Sequence, residues 1–98
     1  MPEVEIATEL KDLIPGFLDR KKSEIETLKT CLDERNYQAI AKIAHDIKGT
    51  SGGYGFDRMS ELAEDLEAAS EKQDRDSLKQ LIEKLESYLN SITIRWVD

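Results

Sequence analysis

His45 is the only histidine in a chain of 98 residues, and the residues around it are of types that suit an exposed nucleophile. If Ile40, Ala44 and Ile47 form the inward stripe of a helix, a turn of about 100° per residue swings His45 about 140° away from Ile40, onto the outward shoulder. Gln38, Gly49 and Gly52 share that face. Glycine in a helix interior costs about 1 kcal/mol, so two of them beside one ring need a compensation. Open space is the natural one, because a shallow notch lets another protein's surface approach the imidazole. Lys48, three residues on, lies on the adjacent flank within reach of a group attached to the ring. Its ammonium suits a dianionic phosphoryl group as a point charge, and Lys42, three residues back, adds positive potential. A neutral, attacking imidazole dominates near pH 7 for an unperturbed pKa of about 6.5. Nε2, at the tip of the ring, is the less hindered atom for a bulky partner. On an arbitrary bundle helix a lone histidine is ordinarily a plain surface residue; here the glycines and lysines argue otherwise. Thr50 and Ser51 are expected to bond back to helix carbonyls or to Lys48.

The elements that must hold this face read as helices almost throughout, with no stretch alternating as a strand would. A short helix opens near Thr8 and runs to about Ile14. A second starts at Pro15, where proline is tolerated in a first turn, and carries Phe17, Leu18, Ile25, Leu28 and Leu32 as its buried stripe. Asn36 interrupts it and is placed to cap the next helix, which runs from Tyr37 to Ser51 or a little beyond. The glycines at 49, 52, 53 and 55 follow, and Asp57 reads as the cap of a further helix with Met59, Leu62, Ala63, Leu66 and Ala69 inward. Gln73-Asp74-Arg75-Asp76 is a turn. The last helix carries Leu78, Leu81, Ile82, Leu85, Tyr88, Leu89 and Ile92, and Thr93 to Trp96 extend it or fray. The expected fold is all-α: an antiparallel up-down-up-down four-helix bundle with a short extra N-terminal helix, one domain over residues 1–98.

Composition excludes several functions. Twenty-one acidic against fourteen basic residues give a net charge of −7, the wrong sign for non-specific binding to nucleic acid or an anionic membrane. The lone Cys31 forms no internal disulfide, supports no cysteine-cluster metal site and fits a reducing compartment; its simplest place is the core. No apolar segment approaches the roughly 18 residues of a membrane span, and the acidic start is not a signal peptide. A cytoplasmic monomer is expected. The carboxylates Asp57, Glu61, Glu64 and Glu67, at helical spacing, read as a solvated face, as does Arg20-Lys21-Lys22, although Arg20 or Lys21 near the notch would help dock an acidic partner. Leu13, Ile14 and Phe17 read as core, with the break at Pro15-Gly16 able to leave one or two of them exposed beside His45 as an apolar docking patch. The role of Trp96 is not legible.

His45-Asp46-Ile47-Lys48-Gly49-Thr50-Ser51-Gly52-Gly53-Tyr54-Gly55 resembles the H-x-[LIM]-K-G-x-[SA]-x-x-[LFY]-G signature of histidine-containing phosphotransfer (HPt) domains. Asn36 to Ile40 and Ala44 upstream, and Leu62 with Leu66-Glu67 downstream, are similar to that family as well. The resemblance implies a phosphorelay carrier in two-component signalling. His45 would accept a phosphoryl group on Nε2 from the phospho-aspartate of a receiver domain, in a response regulator or hybrid histidine kinase, and pass it to another. It implies no ATP binding, no kinase activity and no cofactor of the chain's own, the receiver supplying Mg²⁺ and its acidic cluster. Lys48 would stabilise phosphoryl charge, and Gln38, Lys42, Gly49 and Gly52 would meet the partner. The alternative is a helical interaction module of the same fold that transfers nothing. A metal-dependent hydrolase is disfavoured, because one histidine and no cluster of ligands leave it without a site.

Overall fold

The computed structural model describes residues 2–98. Four helices, α1 (Ile14–Asp33), α2 (Tyr37–Gly53), α3 (Asp57–Glu71) and α4 (Arg75–Ser91), pack around one core, and two short strands, β1 (Glu3–Ala7) and β2 (Thr93–Val97), pair at the termini. The buried set follows the helical stripes read from the sequence. Phe17, Ile25, Leu28 and Leu32 come from α1, and Ile40, Ala44 and Ile47 from α2. Met59, Leu62, Ala63, Leu66 and Ala69 come from α3, and Leu78, Ile82, Leu85, Tyr88 and Leu89 from α4. Cys31 is buried among them. Pro15 lies in the first turn of α1, where its missing N–H has no intrahelical partner to lose.

Three connections of the same build join the helices. In each, the preceding helix ends in a Schellman motif. Asn36 N–H donates to Cys31 O and Arg35 N–H to Leu32 O after α1; Phe56 N–H to Ser51 O and Gly55 N–H to Gly52 O after α2; Asp74 N–H to Ala69 O and Gln73 N–H to Ser70 O after α3. The residue in the left-handed region is Arg35 (φ 56°), Gly55 (φ 93°) and Gln73 (φ 54°) in turn. The next residue then starts the following helix. Asn36 caps α2 by accepting from Ala39 N–H, and Asp74 caps α4 by accepting from Ser77 N–H. Phe56 makes no side-chain cap for α3; its ring is buried and stacked 5.3 Å from that of Phe17. Asp57 is therefore the first residue of α3 rather than its cap, and Arg75 and Asp76 belong to α4 rather than to a turn.

The termini depart furthest from expectation. In place of a helix from Thr8 to Ile14 there is a single 3-10 turn, Thr8–Leu10, and before it the strand β1. Glu3-Val4-Glu5-Ile6 alternates exposed and buried, the period-2 pattern of a strand with one face on a core. In place of a frayed helix end, Thr93-Ile94-Arg95-Trp96-Val97, rich in β-branched and aromatic residues, forms β2. It pairs with β1 in parallel, from Glu3 beside Thr93 to Ala7 beside Val97. A parallel pair needs a crossover connection, and here the whole helical body is that crossover. Val4 and Ile6 enter the core. Arg95 lies between Glu3 (3.9 Å) and Glu5 (3.6 Å), and Lys11 sits over the Trp96 ring, 5.9 Å from its centroid.

Candidate functional site

The site lies midway along α2, where that helix runs against α3. Ala44 and Ile47 face the core and hold the helix in rotation, which turns His45 outward with its side chain 70% exposed. The ring is nevertheless oriented. Its Nδ1 lies 3.1 Å from Oε2 of Glu67 on α3. A carboxylate can only accept, so Nδ1 is the donor of this contact, and in the neutral ring that leaves the lone pair on Nε2. The Nε2 edge is the one left for chemistry.

Lys48, one turn on, reaches the same neighbouring helix. Its Nζ is 3.7 Å from Oε1 of Glu64. The backbone is fixed there too, because Ser60 Oγ of α3 donates to the Lys48 carbonyl (3.1 Å). A Cβ on Gly52 would sit 3.7 Å from Ser60 Oγ, so Gly52, though exposed, turns toward α3 as much as toward solvent. Gly49 differs: nothing lies within 4 Å of where its Cβ would be, and the surface beside the ring is open. Lys42 is exposed on the other flank and, among the described residues, has no ion-pair partner. Gln38 is exposed two turns back, where it lines a shallow groove with Arg35, Asn36, Ser70 and Glu71. His45, Lys48 and Gly49 are thus brought together, with Lys42 beside them and Gln38 at the margin.

Several neighbours take places other than those expected. Thr50 does bond back, its Oγ1 donating to Asp46 O (2.9 Å), but Ser51 Oγ is buried with no hydrogen-bond partner among the described residues. Lys21 is not on a solvated face. It is buried, pairs with Glu24 at 2.8 Å and lies over the Phe17 ring, 5.0 Å from the centroid, its stem covering apolar surface as long cationic side chains do. Ile14 and Phe17 are core, whereas Leu13 is left 53% exposed at the start of α1.

Glu67 and Glu64 are the residues that reading the sequence undervalued. Glu64 does lie on a solvated face and Glu67 is half-buried, and only the apposition of α2 and α3 shows what they touch. The available signal was spacing: Glu64 and Glu67 are three apart on α3, as His45 and Lys48 are on α2, so two cross-helix pairs form one turn apart.

No curated protein and no solved structure gives a significant match to the chain. A family model, described as Hpt domain, matches residues 7–93. That span takes in all four helices and the whole constellation of His45, Lys48, Glu64 and Glu67, and omits only most of the terminal strand pair. The chain belongs to the Hpt domain family.

Proposed function

We propose that this protein is a phosphorelay carrier that takes a phosphoryl group from the phospho-aspartate of a receiver domain onto Nε2 of His45 and passes it to another receiver. The observation that carries this reading is the exposed ring, met by Glu67 at Nδ1 and so left with Nε2 for chemistry. In the forward step the Nε2 lone pair attacks phosphorus and the N–P bond forms. The P–O bond to the receiver's aspartate breaks, and the aspartate leaves as a carboxylate with the electron pair. Nδ1 keeps its proton, so the phosphorylated ring is an imidazolium whose positive charge faces Glu67. Reversal returns the group by the same route. Phosphoryl transfer is mostly positioning and charge neutralisation. Lys48 contributes a cation within reach of the new phosphoryl oxygens, and the open surface at Gly49 admits the receiver. The receiver contributes Mg²⁺ and its own acidic pocket, which the exposed Lys42 would attract.

In this reading residues 1–98 act as one domain, an antiparallel up-down-up-down bundle closed by short turns. It works as a cytoplasmic monomer without kinase activity. Its partners are receiver domains of response regulators or hybrid kinases.

The test is transfer of labelled phosphoryl from a phosphorylated receiver. Wild type should gain acid-labile label and His45→Gln none. Lys48→Ala should slow transfer about tenfold, the effect of losing roughly 1.4 kcal/mol of transition-state stabilisation. Gly49→Leu should block receiver approach without unfolding the protein. Label retained by His45→Gln would remove the reading, and receiver binding without transfer, indifferent to His45→Ala, would establish a non-transferring module instead.

A further inference from the structure

The two tethers from α3 act differently on what they hold. Glu67 holds a proton that the ring keeps through the whole transfer. Glu64 holds the cation that an arriving phosphoryl group needs. Lys48 cannot serve both fully, because its backbone is fixed against α3 by Ser60 Oγ at 3.1 Å, and only its four-carbon stem is left to swing. Lys42 is no substitute on that side, since it lies on the opposite flank of the ring.

We propose that Glu64 is a positioning residue for phosphoryl transfer, a carboxylate that competes with the phosphoryl group of phospho-His45 for the ammonium of Lys48. This rests on the carrier reading above. In the resting protein the ammonium lies 3.7 Å from Glu64 Oε1. When phosphorus is bound at Nε2, Lys48 must loosen that pair to meet the phosphoryl oxygens. The phosphorylated carrier is therefore held higher in free energy than it would be with an unengaged lysine. That bias favours handing the group on over keeping it. The pair is partly exposed, with side chains 40% and 64% accessible, so its effect is that of a screened surface ion pair.

The experiment measures the equilibrium ratio of phospho-His45 to phospho-receiver for one purified receiver mixed with the 98-residue chain, in wild type, Glu64→Gln, Lys48→Met and the double variant. Glu64→Gln should shift the ratio about two- to fivefold toward the carrier, the range of a single exposed ion pair. The shift should shrink to near nothing in the Lys48→Met background and in 1 M salt, and Glu64→Asp should largely restore the wild-type ratio. A merely structural role for Glu64 would move the thermal midpoint and leave the cycle additive. An unchanged ratio in Glu64→Gln overturns the proposal while leaving the carrier reading intact. So does an equal shift with and without Lys48. Failure of wild type to take up label overturns both together.

Discussion

The two ends of the helical body solve the same problem in different ways. At one end the α1–α2 and α3–α4 turns lie side by side and line a common groove with Arg35, Asn36, Glu71 and Gln73. Both start the next helix with a polar cap, Asn36 or Asp74, and both place a residue with a full side chain in the left-handed region. At the other end β1 runs beside the α2–α3 turn, whose Gly53 and Gly55 stay exposed while Phe56 is buried. A Cβ on Gly55 would stand 3.5 Å from Glu5 O and 3.9 Å from Ile6 Cδ1, and the residue that starts α3 is the buried Phe56. Where water reaches a helix end, a side-chain oxygen satisfies the free N–H groups and a strained non-glycine residue is tolerated. Where a strand packs beside it, the buried Phe56 takes the place of a polar cap, and the turn needs glycine because φ of 93° is strained for any side chain.

The sharpest way to break this contrast is at the end beside β1. Ile6→Ala removes a side chain that is only 1% exposed and should lower unfolding free energy by about 2–5 kcal/mol; a urea midpoint close to wild type would mean that the strand merely rests on the bundle. Gly55→Val should cost about 1–3 kcal/mol through backbone strain, and more than valine placed at Arg35, where a side chain already stands at φ 56°. Equal losses at the two positions would erase the distinction. At the open end, Asn36→Ala should cost about 1 kcal/mol by losing its bond from Ala39 N–H, readable in the same denaturant curves. Its counterpart Asp74 gives a pH signature. Its carboxyl is held below the usual value by the Ser77 hydroxyl first and the Ser77 N–H second. The stabilisation is thus complete above the unfolded carboxyl range and lost as pH falls through the lowered folded value. In Asp74→Asn that acid-dependent part should be missing, and parallel stability curves for the two proteins down to pH 2 would contradict it. The smallest change is a gain: Arg35→Gly should relieve left-handed strain and raise stability by about 0.5 kcal/mol, seen as a slightly higher melting temperature.

Sequence reading did best where local rules act alone. The stripes of α1 to α4 and the cap at Asn36 were legible because periodicity and capping need only neighbours in the chain. The outward direction of His45 followed from the same angular arithmetic. What escaped depends on residues far apart. Glu3-Val4-Glu5-Ile6 is too short to announce a strand until Thr93–Val97 stands beside it, and Asp57 looked like a cap because nothing local shows that Phe56 is wanted in the core. Glu64 is on a solvated face as its spacing suggests, and Glu67 is half-buried; that they meet Lys48 and His45 escapes the sequence because helix spacing fixes their face but not the helix they face. Lys21 was misread for the same reason, its exposure being decided by Phe17 beneath it and not by its charged neighbours.

The direction of the terminal strands has a mechanical consequence. Because they run in parallel, with Glu3 beside Thr93 and Ala7 beside Val97, a pull on the two chain ends drags the strands lengthwise past each other. The ladder bonds are then loaded in shear, all at once, instead of opening one after another like a zipper. Force arriving through either terminus meets that clasp before it reaches any helix, and His45 stays shielded from tension until the clasp gives way.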